Sequence, residues 1–379
     1  MNNKECMVSI VCITYNQSEY IKKAIDSMLS QKTDFNFEII IHDDASTDGT
    51  TEILKDYEER YPKIINVIYE KENLYSQNIE FISKIISNYT HGRYIAFCEG
   101  DDYWIDENKL QIQVDALEKR IECDMCACRA VMVSADGRIV LGEIRPQRCD
   151  GILCMDDVIV EGATYLATAG LVFRKKMTDK RMRFETLWES DYVYQMRGAL
   201  RGGIVYIDKA MAVYRRYAKG SHTVLVTSDE MIMENECSYE RKVLEMLDQE
   251  TNGRYHDAIV KRLGRFGQSF YVQLVQNRSE IMSLLPSGNT KIYIWGSGLR
   301  GKNLEKFCAS EKIKLMGVCD ILNKNLGGIT NFDNTIVSTD EALIKADIIL
   351  TSVTSAYDYV MTCEHRGKVI DMQVYMPIA

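Results

Sequence analysis

Residues 8–98 alternate doubly apolar runs with amphipathic stretches, and that alternation restricts the fold more than any other feature of the chain. Val8 to Ile13 is a continuous run rich in β-branched residues. It is followed by Ile21, Ala24, Ile25, Met28 and Leu29 at helical spacing and by a second run, Phe37 to Ile41. Strands without polar alternation are buried on both faces, as in a parallel sheet covered by helices on each side. The pattern repeats with Ile53, Leu54 and Tyr57 on a short helix and Ile64 to Ile68 on a strand. Phe81, Ile82, Ile85 and Ile86 then mark a helix, and Tyr94 to Cys98 a fourth strand. Consecutive βαβ units predict an α/β fold with a parallel-rich central sheet.

In such a sheet the carboxyl ends of the strands share one rim, where ligands bind. Thr14, Tyr15 and Asn16 follow the first strand, Asp43 and Asp44 the second, Asn73 the third, and Glu99, Asp101 and Asp102 the fourth. Each aspartate alone is at least as often a turn former or a helix cap, but four polar strand ends in succession outline a crevice. The formal net charge of −9 lies entirely in residues 1–120, where Asp plus Glu outnumber Lys plus Arg by 22 to 13. That acidity argues against a nucleic-acid partner and fits either a solvated acidic surface or a divalent cation bridging to an anionic substrate. Carboxylates packed as in Glu99-Gly100-Asp101-Asp102 repel one another unless a cation joins them. Magnesium or manganese takes one or two protein carboxylates together with the oxygens of a diphosphate.

Farther along, Asp136-Gly137 signals a hairpin, and residues 141–170 carry no clear periodicity. Leu171 to Phe173 reads as a short strand that ends in the basic cluster Arg174, Lys175, Lys176, Lys180, Arg181 and Arg183. This cluster suits a solvated face, a phosphate-bearing acceptor or a membrane surface. Ser190 can cap a helix beginning at Asp191, and Gly203 to Ile207 and Ala210 to Tyr214 read as two strands. Residues 228–287 form a helical connection with Val243, Leu244 and Leu247 inward, closed by Pro286 to Asn289. A second βαβ series, Lys291 to Trp295, Lys314 to Cys319, Ile348 to Thr351 and Lys368 to Ile370, makes residues 288–379 a Rossmann-like α/β domain, leaving 1–227 as the first domain. In it, Gly296-Ser297-Gly298-Leu299-Arg300-Gly301 fits G-x-G-x-x-G after a strand, and Asp320 ends the next strand. No hydride-transfer pair accompanies this motif, so a packing, oligomerisation or nucleotide-sensing role outweighs a nicotinamide-dependent oxidoreductase. The 12 cysteines, in a chain with no apolar leader or spanning run, read as reduced thiols of a cytoplasmic protein. Cys123 and Cys126 are spaced C-x2-C but lack a second ligand pair, and Cys128 sits at alternate spacing on a strand.

The stretches VSIVCITYN, EIIIHDDASTDGT, RYIAFCEGDDYW and WESDYVYQMRGALRGGIVYIDKAMAVYRR resemble the signature blocks of bacterial family 2 glycosyltransferases of GT-A type, across residues 6–225. The resemblance implies an inverting transferase that uses a nucleotide-diphosphate sugar, with a UDP-sugar foremost, and manganese or magnesium. It places Thr14, Tyr15 and Asn16 with Asp44 at the donor's base and ribose, with Asp43 as a secondary candidate and Asn73 as a further donor contact. The Asp-x-Asp element stands here as Glu99-Gly100-Asp101, so Asp101 and Asp102 become the metal and ribose contacts. Asp191 matches the general base, with Glu189 as its rival. Arg215 and Arg216 are placed to stabilise the leaving diphosphate, and His222 to reach the metal. The expected acceptor is a glycan or lipid-linked hydroxyl in surface polysaccharide synthesis, met by a cytoplasmic enzyme with peripheral membrane association and homo-oligomerisation through the C-terminal domain. The competing reading is a decayed transferase fold that binds nucleotide sugar without turning it over.

Overall fold

The computed structural model describes residues 6–75, 81–216, 218–219, 221, 230–264, 274–275, 277–285, 290–296, 299–319, 339–351, 360, 363–365 and 367–372. It divides into two compact units, the first built from residues 1–137, 143–222 and 235–262 and the second from 138–142, 223–234 and 263–379. Among the described residues, no helix is long and apolar enough to cross a membrane.

The predicted alternation is present. Strands β1 (Cys6–Thr14), β2 (Asn36–Asp43), β3 (Ile65–Tyr69) and β4 (Tyr94–Phe97) are joined by helices α1 (Ile21–Leu29), α2 (Thr50–Arg60) and α3 (Ile82–Tyr89). β1 pairs in parallel with β2 and with β4, and β2 pairs in parallel with β3. Helix α1 buries Ile21, Ala24, Ile25 and Met28, which join Val8, Ile10, Ile39 and Ile41 in one core. Burial of such a face, at about 25 cal/mol per Å² of apolar surface, is what holds a nine-residue helix that has no side-chain N-cap.

β4 is followed by β5 (Tyr103–Trp104), α4 (Lys109–Lys119), β6 (Met125–Val133), β7 (Val140–Ile144), β8 (Gly151–Leu153), α5 (Met155–Glu161), β9 (Val172–Arg174), α6 (Asp191–Ala199) and β10 (Ile204–Arg215). The main sheet runs in the order β3-β2-β1-β4-β9-β6-β10-β5, with β8 also on β10. β9 is antiparallel to both β4 and β6, so the parallel sheet of the first strands becomes mixed there. The two strands expected over Gly203 to Tyr214 are one, β10. Its register against β6 shifts between Ile207 and Ala212, which turns the chain without ending the pairing. Helices α7 (Glu230–Glu250), α8 (His256–Leu263) and α9 (Arg278–Leu284) occupy the helical stretch, with Val243, Leu244 and Leu247 buried. Arg262 donates to Glu240 at 2.7 Å, a buried pair whose guanidinium lies over the ring of Tyr192 in α6.

The second unit carries β11 (Ile292–Trp295), α10 (Leu299–Ser310), β12 (Leu315–Cys319), α11 (Thr339–Lys345), β13 (Ile348–Thr351) and β14 (Lys368–Asp371). Its sheet is parallel throughout, in the order β12-β11-β13-β14. Gly296 follows β11 at φ 119, a conformation that glycine adopts without strain, and α10 begins three residues later. Pro286 to Asn289, Ser297, Gly298 and Asp320 lie outside the described residues.

Candidate active site

The carboxyl ends of β1, β2 and β4 do meet. Asn16 adopts φ 52 just past β1; its backbone N–H donates to Ser46 Oγ at 2.9 Å and its Oδ1 accepts from the Thr47 N–H at 2.7 Å. This stitches the loop after β1 to the loop after β2 and leaves the neighbouring Tyr15 exposed on the rim. Asp43 spends both carboxylate oxygens locally, accepting from the Ser46 N–H at 3.0 Å and the Thr51 hydroxyl at 2.5 Å. Asp44 reaches farther. Its carboxylate accepts the N–H groups of Leu74 and Tyr75 at 2.7 and 3.1 Å, while Asn73 donates to its carbonyl at 3.3 Å. Asp44 and Asn73 thus fix the segment after β3 against the rim, and Asp43 shapes the turn beneath it.

The acidic turn after β4 is the most deeply set part of the site. Gly100 passes so close to β1 that a Cβ there would lie 2.4 Å from Gln17 Oε1 and 2.7 Å from Thr14 Oγ1, so only glycine fits. Thr14 is buried and donates to Gln17 at 2.8 Å. Asp101 and Asp102 are 7% and 2% exposed. Asp102 Oδ1 accepts the Arg215 N–H at 2.8 Å, whereas its buried Oδ2 has no hydrogen-bond partner. Burial pushes the Asp101 carboxyl up, against the pull of Arg215 and Gln17. Burial, with Asp101 and Glu99 beside it, pushes Asp102 well above the usual carboxylate range. Arg215 is itself buried, donating from Nε to the Asp101 carbonyl at 2.8 Å and from Nη1 to the Ala135 carbonyl at 2.9 Å, with Tyr20 and Tyr103 against its guanidinium. It braces the acidic turn from beneath. Arg216 hydrogen-bonds through its backbone to Val133 at 2.9 Å.

A buried carboxylate oxygen with no partner, next to a second desolvated carboxylate, fits a divalent cation, because neutralisation of the pair would remove the cost of its burial. The residues that would hold it are Asp101 and Asp102. Among the described residues no group of three or more His, Cys, Asp and Glu side chains is gathered, and His222 lies outside them. Cys123, Cys126 and Cys128 are buried thiols pushed up by desolvation, which keeps them protonated.

Asp191 opens α6 as expected, with Ser190 Oγ accepting the Val193 N–H at 3.3 Å. One carboxylate oxygen, Oδ2, accepts the hydroxyl of Thr168 at 2.8 Å. Thr168 begins a 3-10 turn whose Ala169 carbonyl accepts the Trp104 indole N–H at 2.8 Å, so the base candidate and the segment just past the acidic turn share one support. Glu189 is committed elsewhere. Its Oε2 accepts the N–H groups of Phe81 and Ile82 at 2.8 and 2.9 Å and its Oε1 that of Ser83 at 2.7 Å, capping the start of α3 from a residue more than 100 positions away. Two acids separated by one serine therefore have different partners: Glu189 holds the start of α3, and Asp191 is tied to the 3-10 turn through Thr168.

Three supporting residues had no advance signal strong enough to pick them out. Gln17 sits in the loop after β1, and Thr168 lies in the aperiodic stretch. Lys109 is wholly buried, with Nζ 4.3 Å from the Trp104 ring centroid and no hydrogen-bond partner, and desolvation pulls its ammonium down. A charged residue at the start of α4 reads from sequence as a solvated position.

Sheet order, the crevice at the β1, β2 and β4 ends and the desolvated acids define a protein of the GT-A class. The solved structure of S. aureus TarS 1–349 in complex with UDP-GlcNAc shares this fold at TM-score 0.50 and 16% identity, covering 74% of this chain and 79% of that one. Residues 9–145 match the family described as Glycosyl transferase family 2. The putative glycosyltransferase EpsE of Bacillus subtilis is 30% identical over 205 residues, covering 50% of this chain and 68% of its own length. The chain belongs to glycosyltransferase family 2. An uncharacterized Mycobacterium tuberculosis protein is 34% identical over 213 residues, 56% of this chain, and the match spans 60% of that relative's length.

Proposed function

We propose that the chain transfers a sugar, with inversion, from a nucleotide-diphosphate donor to a hydroxyl of a glycan or lipid-linked acceptor in bacterial surface polysaccharide synthesis. The observation that carries this reading is the pairing of two differently prepared acid sites on one support: desolvated Asp101 and Asp102 past β4, and half-exposed Asp191 at the start of α6. Thr14, Tyr15, Asn16, Asp44 and Asn73 line the crevice for the nucleoside, with Asp43 shaping its floor. A divalent cation, manganese or magnesium, would be held by Asp101 and Asp102 and would neutralise charge on the departing diphosphate. Arg215 keeps the acidic turn in place, and Arg216 beside it is a candidate contact for the diphosphate. Asp191 takes the proton of the acceptor hydroxyl as its oxygen attacks C1 of the sugar from the face opposite the diphosphate. Thr168, bonded to one oxygen of Asp191, fixes the carboxylate in place.

The nucleotide-sugar complex of the TarS fold neighbour makes UDP-sugars the first donors to assay. These groups all belong to the first unit, so the second unit serves assembly or acceptor handling. The chemistry takes place at the cytoplasmic face of the membrane. The test is incubation of the full chain with a panel of UDP-sugars, acceptor saccharides and manganese, followed by the anomeric configuration of the product by NMR. An inverted product formed only with metal supports the reading. A retained configuration would overturn inversion, and donor binding without turnover for any acceptor would favour the nucleotide-sugar-binding alternative.

A further inference from the structure

At the strand ends opposite the acidic rim, the register of β4 and β9 gathers cations together. β4 begins at Tyr94, which faces Arg174 at the end of the antiparallel β9. That pairing sets Arg93 beside Lys175, whose backbone N–H donates to the Arg93 carbonyl at 2.8 Å, and Lys176 follows. Arg93, Arg174, Lys175 and Lys176 line a cavity of about 290 Å³ together with His91 and Asp179.

Two carboxylates, Asp179 in the lining and Glu118 against the guanidiniums, offset only part of the charge of four cationic side chains. Arg174 is buried and donates to neutral acceptors, the carbonyls of Cys123 and Leu117 and the hydroxyl of Tyr94, at 3.1, 2.6 and 2.7 Å. Glu118 is shared between two guanidiniums, 3.4 Å from Arg93 and 4.0 Å from Arg174. Lys175 donates to the Thr90 carbonyl at 2.6 Å, which uses one of its three ammonium hydrogens. His91 is engaged with Glu38 at 3.0 Å, and Lys176 is exposed. Like charges held this close by backbone pairing raise the free energy of the empty cavity, and an anion lowers it. Guanidinium and ammonium groups converging on one space match the oxygens of a phosphate, which can take several donors at once. A cavity of 290 Å³ has room for a phosphate group and part of what it esterifies, since a liquid water occupies about 30 Å³.

We propose that this cavity is a second anion site that binds a phosphate group, remote from the donor rim. The ligand is either a soluble phosphate ester or a phospholipid headgroup. The site does not depend on the proposed transferase chemistry, because none of its residues belongs to the crevice.

The test uses the full chain in chelator, so that no cation assists phosphate binding at the acidic rim. Calorimetric titration with inorganic phosphate probes the soluble source, and flotation with phosphatidylglycerol-containing against pure phosphatidylcholine vesicles probes the headgroup. Three variants are compared: Lys175→Gln with Lys176→Gln, Lys176→Glu alone, and Lys180→Glu, an exposed lysine outside the cavity with the same change of net charge. Loss of charge-assisted donors should weaken phosphate affinity by about tenfold or more in the first two and leave Lys180→Glu like the parent. Lys176→Glu alters an exposed side chain, so it reads the site even if the double variant folds poorly. Phosphate binding with that variant pattern assigns a soluble ester. Flotation with that pattern and no soluble binding assigns the headgroup. Absence of both, or equal losses in Lys176→Glu and Lys180→Glu, would overturn the proposal.

Discussion

The turn after β4 and the start of α6 both present acids to the crevice, yet the fold treats them in opposite ways. Asp101 and Asp102 are almost wholly removed from water, and one oxygen of Asp102 has no partner. At α6 the acids stay half-exposed and hydrogen-bonded, Glu189 to three backbone amides and Asp191 to Thr168. Desolvation destabilises a carboxylate until its charge is neutralised, whereas water and hydrogen-bond donors stabilise one. Residue type alone does not distinguish the two settings. The depth of burial does.

The largest expected effect tests the α6 side. Asp191→Asn keeps the shape and the Thr168 bond but cannot take a proton, so kcat should fall by about two to four orders of magnitude with donor affinity little changed. Single-turnover transfer with saturating donor measures it, and near-parental turnover would remove Asp191 from the base role.

Next comes the β4 side. Asp102→Asn removes a charge that burial disfavours, so in chelator the variant should melt higher than the parent, while stabilisation by manganese and metal-dependent donor binding disappear. The pH dependence has a definite sign. Because the folded value of Asp102 is raised, its contribution to stability is fully present below the unfolded carboxylate range near pH ~4 and is lost as pH rises through the folded value. The chelated parent should therefore lose stability as pH rises across that window, and Asp102→Asn should flatten the slope. An unchanged slope would mean that the acid is not desolvated in solution.

The comparison also marks what the sequence discloses. The doubly apolar runs of β1, β2 and β4 announce a covered sheet, and with it the rim on which Thr14, Asp44 and Asp101 meet, because strand ends converge wherever the strands are parallel. The partners of these acids are not legible. Asp44 acts on Leu74 and Tyr75, and Glu189 on Phe81 to Ser83, through contacts that only the closed fold creates. Helix α4 was hidden because its inward face carries Lys109 and Gln113 among its apolar residues, which breaks the periodic signal. The sequence divides β10 in two because polar Asp208 and Lys209, at the register shift, interrupt an otherwise apolar strand.

A smaller effect belongs to Glu189. Glu189→Ala strips the first amides of α3 of their acceptor, which should cost about 1–3 kcal/mol of stability. Thermal and urea unfolding measure this directly. Turnover at a temperature well below the transition should stay within a few-fold of the parent; a loss on the scale of Asp191→Asn would exchange the roles of the two acids.

The smallest effect isolates how Asp191 is aimed. Thr168→Val keeps the volume and branching of the side chain and removes only the hydroxyl that donates to Asp191 Oδ2 at 2.8 Å. Thr168 is part-buried, and its 3-10 turn remains anchored through Ala169 to Trp104 and through Gly170 to Gln113, at 2.8 Å each, so the backbone has no reason to move. What changes is the freedom of the carboxylate to rotate. One hydrogen bond to a charged group of this kind corresponds to about 1–1.5 kcal/mol at the transition state, or a five- to tenfold fall in kcat. The donor KM and the melting temperature should not follow, and Thr168→Ser should restore most of the rate because it returns the hydroxyl. Equal losses in kcat and stability would make Thr168 a packing residue. A normal rate would mean that the helix start alone orients Asp191, and the link from Trp104 through the 3-10 turn to the base would carry no catalytic weight.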